Sequence, residues 1–450
     1  MNLETPGEKP EREAAAIENE VEHETGTESP QKLDRFAVLR IPDYRRYLIG
    51  GIFAAAGSQM TNVAAGWELY QRTGKPFSLG LLGLMAALPV IFLALPAGTL
   101  ADRLDRRRIV LTAELGAIIC LFLLALVSWN RLPLPFFYGL ILCNAICGAF
   151  LGPALGALVT NIVPKEQIPA AVRFGSIRWQ LAATLGPVLG GFLIGFFSRT
   201  SAYGLSSHPA APIYALDSLG RLAFCAFLWP IRPRQQQASG EKLNWSSVAA
   251  GWHFVKGNRL ILSTITLDMV AVLFGGATAL LPVYAKDILH VGPEGLGPLR
   301  AAPAVGAIVM GITLTILPPF KRAGWTLLFA VAGFGAATIV FGLSKNYALS
   351  LGALCALGAF DNISVVVRHT LLQILTPDAM RGRVNAVNSV FIGTSNEIGE
   401  LESGAAAQLL GPVVAVAGGG VVTILIVLGV GALWPQVRRL GSFEDAMNRN

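Results

Sequence analysis

Five carboxylates interrupt otherwise apolar stretches in the second half of the chain, and their types suit proton chemistry. They are Asp268, Asp361, Glu397, Glu400 and Glu402. A carboxylate at bilayer depth costs at least a few kcal/mol, so each is by default a functional candidate if its stretch crosses a membrane. Glu397 and Glu400 share one helix face, and two negative charges that close in a low dielectric favour retention of a proton by one of them. The spacing therefore predicts proton binding and release.

A static charge network is the alternative interpretation of the same carboxylates. In such a network an arginine neutralises them and no proton moves; the arginines within apolar stretches that could do so are Arg173, Arg178 and Arg368. The sequence leaves both interpretations open.

The composition indicates that these residues belong to a polytopic membrane protein. Of 450 residues, 53% are hydrophobic, 14% are charged and 49 are glycine, and the mean hydropathy is +0.56. A soluble protein of two or three domains carries far more charge. The five cysteines all fall within apolar stretches, which favours buried small side chains over a metal site. We expect no metal, no cofactor and no nucleic-acid partner, because the basic residues flank apolar stretches instead of clustering in a soluble domain.

Twelve apolar stretches are long enough to cross a hydrocarbon core of about 30 Å. They are 47–70, 77–101, 109–129, 136–160, 168–197, 212–229, 260–284, 299–317, 325–343, 347–367, 384–409 and 413–434. An all-α fold of twelve transmembrane helices in two pseudo-symmetric six-helix bundles follows. Both termini are predicted to be cytoplasmic, because basic residues flank the spans on that side.

The predicted domains follow from shifts in composition. Residues 1–40 form an acidic tail expected to be disordered, since the first 34 residues hold ten acidic and three basic side chains. The first bundle covers 41–230, and a polar cytoplasmic linker covers 231–259. Within the linker, Trp245, Val248, Trp252 and Val255 recur at helical spacing, which predicts an amphipathic helix at the membrane surface. The second bundle covers 260–435, and 436–450 is a cytoplasmic tail.

A proline flanked by glycines marks the fifth predicted span. Its members are Gly186, Pro187, Gly190 and Gly191. Such a segment is either a packing kink of a membrane helix or a functional motif, and the spacing alone supports both equally. An offset of 213 residues aligns Gly186 with Gly399 and Gly191 with Gly404, so the segment has a counterpart in the eleventh span.

Polar residues in the first half supply two further groups of candidates. The connection after the second span holds Gly98, Asp102, Arg103, Arg106 and Arg107, and its charges place it in the cytoplasm, where such a cluster usually only sets topology. Candidates to line a substrate cavity are Gln59, Asn62, Asn144 and Arg178. For Gln59 and Asn62, hydrogen bonding between helices is an equally good interpretation. The four-residue spacing of Asp217 and Arg221 predicts a structural ion pair.

These motifs resemble the major facilitator superfamily. The stretch from Gly98 to Arg108 is similar to the signature between its second and third helices, with Asp105 where glycine is usual. The segment from Gly186 to Gly191 is similar to its antiporter motif, with Ala182 in place of the leading glycine. The runs Thr376-Pro377-Asp378, Arg381-Gly382-Arg383-Val384, Ser395-Asn396-Glu397 and Glu402-Ser403-Gly404 resemble the bacterial branch that includes the enterobactin exporter.

The resemblance implies a monomeric secondary transporter of the bacterial inner membrane. By alternating access it would export a small amphiphilic molecule, such as a drug or siderophore, in exchange for protons, with helices 1, 4, 7 and 10 lining the cavity. Asp102 would lock the two halves together in one state. Asn144 stands where many proton-driven members carry arginine, so an arginine relay in helix 4 is not supported. The alternatives are an uncoupled facilitator or importer, a transport-inactive sensor and a membrane-embedded enzyme. No Walker A loop, HExxH or Gly-x-Ser-x-Gly occurs, which argues against an ATP-driven pump or a common hydrolase.

Overall fold

The computed structural model describes residues 36–200, 202–232, 245–318 and 320–443, and within these ranges it contains helices and no strand. Most of the predicted acidic tail, part of the linker and the end of the chain lie outside the described residues.

Twelve long helices follow one another within these ranges. They are α1 (Pro42–Thr73), α2 (Pro76–Arg103), α3 (Arg106–Trp129), α4 (Leu134–Ile162), α5 (Ile168–Arg199), α6 (Ala211–Leu228), α7 (Arg259–Phe274), α8 (Gly292–Ile316), α9 (Ala323–Leu343), α10 (Tyr347–Leu375), α11 (Asp378–Leu410) and α12 (Pro412–Leu433). A shorter linker helix, Trp245–Gly257, lies between α6 and α7. Among the described residues, ten stretches are long and apolar enough to cross a membrane. They include neither α1 nor α11, because charged and amide side chains are spread along these two helices.

Local sequence signals explain where several helices begin and end. Gly74 ends α1 in the left-handed conformation, with φ of 61°, which glycine adopts without steric cost. Asp105 caps α3, because its side chain accepts hydrogen bonds from the backbone of Arg107 at 2.9 Å and of Arg108 at 3.4 Å. The aspartate that departs from the superfamily signature therefore has a local structural role.

The seventh predicted span is interrupted, which the sequence prediction of one continuous helix over 260–284 missed. α7 ends at Phe274, just before Gly275. The chain continues through the 3-10 turn Ala277–Leu280, the turn Leu281–Val283 and the π-helical turn Tyr284–Ile288. At Gly276 a Cβ would lie 3.0 Å from the carbonyl oxygen of Gly399. Two consecutive glycines and this close approach of α11 account for the break.

The helices form two groups, α1–α6 and α7–α12. In the first, α1 packs on α5 and α6, and α3 packs on α4 and α6; in the second, α8 packs on α10 and α9 on α12. We call the end with the linker helix and the α2–α3 connection the linker end, and the opposite end the distal end. The linker helix packs on α11, where Trp252 stacks on Phe391 with ring centroids 5.4 Å apart.

The predicted repeat is confirmed by the packing of its glycines. Gly186 lies against Gln59 of α1, and its counterpart Gly399 lies against Leu273 of α7. Each copy therefore packs on the first helix of its own half.

The second pair of aligned glycines joins the two halves. A Cβ on Gly191 would lie 2.8 Å from Gly297 of α8, and one on Gly404 would lie 2.9 Å from Cα of Gly80 of α2. We call these contacts the α5–α8 seam and the α2–α11 seam. Both lie toward the distal end, and α5 with α8 and α2 with α11 are the principal contacts between the halves.

Candidate functional site

Side chains reinforce the contact between the halves at the distal end. The Tyr70 hydroxyl of α1 donates to Asp287, and the Lys286 ammonium lies 5.3 Å from the centre of the Tyr70 ring. Arg199 at the end of α5 pairs with Glu294 of α8 at 2.9 Å. The described contacts thus join the two halves at the distal end of the molecule.

These two side-chain bridges are expected to contribute modestly to the free energy that holds the halves together at the distal end. Replacing Tyr70 with phenylalanine and Arg199 with glutamine removes one hydrogen bond and one exposed ion pair, together about 1 to 2 kcal/mol. We expect a partial shift toward distal opening. Distances between spin labels on the exposed Lys75 and Lys345, one in each half at this end, would measure it. An unchanged distance distribution would show that the seams alone hold the end closed.

A buried charge network lies within the first half. Arg221 donates to Asp217 at 3.2 Å and to Glu114 at 3.1 Å, and Thr61 donates to Asp217 at 2.8 Å. All four residues are buried. The predicted Asp217–Arg221 pair is confirmed. The sequence analysis missed Glu114, although a lone glutamate in the third apolar stretch is the same signal as the five carboxylates of the second half.

A third buried carboxylate of the first half, Glu68 of α1, lies nearer the distal end. It pairs with Arg72 at 2.8 Å and accepts hydrogen bonds from Ser128 and Tyr214, both at 2.9 Å. Three donors on one carboxylate satisfy a buried anion. Glu68 is therefore a structural anion that joins α1, α3 and α6.

In the second half, Arg368 of α10 forms a buried ion pair with Asp268 of α7. Asp361 lies near this pair, and both aspartates border a cavity of about 10 Å³ that Ser364 also lines. This volume is about that of one water molecule. Among the described residues, the Ser364 hydroxyl and Arg368 Nε have no hydrogen-bonding partner. Arg368 thus neutralises Asp268 as in the static interpretation, and a water would join the remaining polar groups.

The three glutamates of α11 have different surroundings. Glu397 and Glu400 are half-buried, and Arg300 of α8 is the cation that acts on both. Glu402 accepts a long hydrogen bond of 3.5 Å from Ser403. The sequence analysis missed Arg300, which lies at the start of the eighth predicted span.

The arginine and amides proposed to line the cavity lie in the first half. Arg178 of α5 lies 5.2 Å from the centre of the Tyr47 ring, beside α1. Asn62 donates to Gln59 at 3.2 Å. The side-chain oxygen of Asn144 in α4 is buried without a partner among the described residues. The structure therefore pairs Gln59 with Asn62, directs Arg178 to α1, and leaves Asn144 with unused hydrogen-bonding capacity.

The arginines of the α2–α3 connection bind their own half. Arg106 donates to Asn161 of α4 at 2.8 Å, and Arg107 donates to the carbonyl of Trp229 after α6. A Cβ on Gly98 would meet nothing within 4 Å. The side chains of Asp102 and Arg103 lie outside the described residues.

The segment around Pro187 provides contacts on two sides of α5. Gly190 lies against Met60 of α1, while Gly191 faces α8. A Cβ on Gly297 of α8 would lie 2.6 Å from the Pro187 carbonyl oxygen. The glycines thus let α5 approach both α1 and the other half.

Comparison with known proteins establishes the family. The profile of the family described as transmembrane secretion effector (MFS_3) matches residues 34–444. The chain belongs to this family of major facilitator superfamily transporters. The enterobactin exporter of Citrobacter koseri is 25% identical to this transporter over 406 residues, which cover 88% of this chain and 93% of that protein. The enterobactin exporter of Escherichia coli is 24% identical over 393 residues, which cover 86% of this chain and 90% of that protein.

Solved structures of other transporters share the fold of this family member. A bacterial homolog of the human lysosomal transporter Spinster superposes with a TM-score of 0.68 at 14% identity, covering 90% of this chain and 98% of that one. The nucleoside transporter NupG superposes with a TM-score of 0.66 at 11% identity, covering 87% of this chain and 100% of that one. The predicted all-α major facilitator fold is confirmed. Family and fold together point to a membrane-embedded transporter of a small molecule.

Proposed function

We propose that this transporter exports a small amphiphilic molecule, drug-like or siderophore-like, in exchange for protons by alternating access. It works as a monomer in the bacterial inner membrane, with the linker end and both termini in the cytoplasm. The basic residues of the α2–α3 connection and of the linker support this orientation. With the distal end outside, the described contacts join the two halves on the outer side.

One observation carries the proton coupling: Glu397 and Glu400 lie half-buried three residues apart on α11, and among the described residues Arg300 of α8 is the cation whose charge acts on both. One guanidinium balances one carboxylate, so the second is uncompensated at membrane depth. Retention of a proton removes that charge at lower free-energy cost than burial of the anion. A site that holds a proton in one state and releases it in another can drive exchange. Asp361, Asp268 and Glu402 are further coupling candidates.

The class of substrate is proposed from two sources. The similarity to enterobactin exporters extends over most of the chain, which supports a siderophore-like cargo. The amides of Gln59, Asn62 and Asn144, with the Arg178 guanidinium, offer polar groups to such a molecule within an apolar protein. Asp102 is proposed to lock the linker ends of the halves together when they close.

Transport into proteoliposomes with an imposed pH gradient would test the proposal, with enterobactin and a lipophilic cationic dye as substrates. We expect accumulation of at least one substrate that a protonophore abolishes. Accumulation of every transported substrate without sensitivity to the protonophore would exclude proton antiport and favour the uncoupled facilitator. Absence of transport for a broad panel would favour the sensor.

Neutral variants would identify the coupling carboxylates. Glu397→Gln, Glu400→Gln and Asp361→Asn should each lower gradient-driven export at least about tenfold, the rate change for 1.4 kcal/mol, and leave membrane insertion intact. Glu166→Gln, which alters an exposed carboxylate in the α4–α5 connection, is the matched control. Export at the wild-type rate in all three variants would remove these residues from the mechanism.

A further inference from the structure

The two seams are copies of one contact, and they differ in the residue whose backbone meets the facing glycine. In the α5–α8 seam, Gly297 faces the backbone of Pro187 and Val188. In the α2–α11 seam, Gly80 faces the backbone of Glu400 and Leu401. The 213-residue offset that aligns Gly191 with Gly404 also aligns Pro187 with Glu400. An ionisable side chain thus occupies one seam at the position where the other seam has proline.

The Glu400 side chain lies directly on α2. A Cβ on Gly83 would lie 2.8 Å from Cβ of Glu400 and 3.3 Å from its carboxyl carbon. Gly83 and Gly80 are buried beneath this contact. The seam can therefore close only because position 83 lacks a side chain, and closing it covers the Glu400 carboxyl group.

The charged groups around Glu400 do not balance it. Arg300 of α8 acts on Glu400 and also on Glu397, one turn nearer the linker end. From α2 the contacts are the two glycines, and α7 meets the opposite face of α11 through Gly399. A negative Glu400 in the closed seam would share one guanidinium with a second carboxylate, in a place that α2 shields from water.

We propose that protonation of Glu400 controls closure of the distal end: the α2–α11 seam closes over the neutral carboxyl group and opens when the proton leaves. The α5–α8 seam, with no ionisable group at the equivalent position, is a proton-independent pivot. This inference rests on the proposed proton exchange. Opening separates α2 from α11 and exposes Glu400 to the outside, where it takes up a proton. After closure, Glu397 is the neighbouring carboxylate that can accept this proton on its way to the linker end. No bond other than the O–H bond forms or breaks.

Acidic pH stabilises the closed seam and alkaline pH stabilises the open one, because Glu400 holds its proton more tightly in the closed seam than in the open one. The open-to-closed ratio should rise by up to about tenfold per pH unit, the limit for one linked proton. Double electron–electron resonance between spin labels on Lys75→Cys and Lys345→Cys measures this ratio. The full chain, with its five native cysteines replaced by serine, would be studied in nanodiscs from mildly acidic to mildly alkaline pH.

Three variants separate the parts of the proposal. Glu400→Gln should keep the short distance at every pH, since a neutral amide closes the seam permanently. Gly83→Ala should keep the long distance at every pH, because the added Cβ holds α2 away from Glu400. Gly393→Ala is its control on α11, where an added Cβ meets nothing within 4 Å, and should respond to pH as the wild type does.

The outcomes are distinct from those of the transport assay. A wild-type pH response in Glu400→Gln would overturn the assignment, even if export proves proton-driven. Loss of the response in Glu402→Gln to the same degree as in Glu400→Gln would also overturn it. A response that vanishes in Glu400→Gln and Gly83→Ala but persists in Gly393→Ala and Glu402→Gln would uphold the proton-controlled seam. Protonophore-insensitive export in the same protein would refute the proposed antiport. Size-exclusion profiles identical to the wild type would show that each variant is folded.

Discussion

Replacing Arg221 with methionine should unfold the transporter at a markedly lower temperature. Arg221 is the cation between the buried carboxylates of Asp217 and Glu114, and methionine keeps most of its volume without its charge. Removing one partner of a buried ion pair costs about 3 to 5 kcal/mol. Thermal unfolding of the purified protein in detergent would show the loss. Arg173→Met, which alters an exposed arginine of α5, is the matched control.

A triple variant distinguishes charge from packing in this network. Changing Glu114 to glutamine and Asp217 to asparagine together with Arg221→Met removes all three charges. Most of the lost stability should return, because replacing a complete buried network with neutral groups is often tolerated. If the triple variant unfolds as early as the single one, the arginine acts through packing. A single variant as stable as the wild type would mean that the carboxylates become neutral at little cost.

A bulky residue at Gly297 should slow transport strongly while leaving the protein folded. A Cβ at this position would lie 2.6 Å from the Pro187 carbonyl oxygen and 3.0 Å from Cα of Val188, so valine would force α5 and α8 apart. Overpacking costs about 1 to 3 kcal/mol, which lowers the closed population about five- to 150-fold. Gly297→Val should therefore transport at about 1 to 20% of the wild-type rate, the reciprocal of that factor.

The control for this variant lies on the same helix. At Gly311 the nearest atom to an added Cβ is the Asn362 side-chain oxygen at 3.8 Å, an ordinary contact. Gly311→Val should transport normally. Equal rates in the two variants would contradict the role of the α5–α8 seam, and a short spin-label distance in Gly297→Val would show that the seam tolerates the added bulk.

The elements of this fold could be predicted from the sequence because they depend on local patterns. Apolar length predicted the helices, the four-residue spacing predicted the Asp217–Arg221 pair, and the 213-residue offset predicted glycine contacts that the structure repeats in both halves. The interruption of α7 was missed, since two glycines in an apolar run are compatible with a continuous helix until α11 is packed against them.

The neighbours of the charged residues could not be predicted in the same way. Glu114 reaches Arg221 across 107 positions of the chain, and Arg300 acts on the glutamates of α11 from another helix. Such partners are fixed by the way helices pack, which one sequence does not reveal. Sequence reasoning therefore found the carboxylates of α11 and the arginine that pairs with Asp268, but it did not find Arg300.

The position of the seams has a mechanical consequence for the long helices that form them. α5 has 32 residues and α11 has 33, so each is about 50 Å long at 1.5 Å per residue. Both helices contact the other half near their distal ends, so each can rotate about that contact while its linker end moves. Gly191 and Gly404 lie 23 and 26 residues from the linker ends of these helices, about 35 to 39 Å, so a rotation of about 10° at the seam displaces the linker end by about 6 to 7 Å. Because Trp252 stacks on Phe391, the linker helix would move with α11. A displacement of a few ångströms around Glu400 would therefore become a larger movement at the linker end.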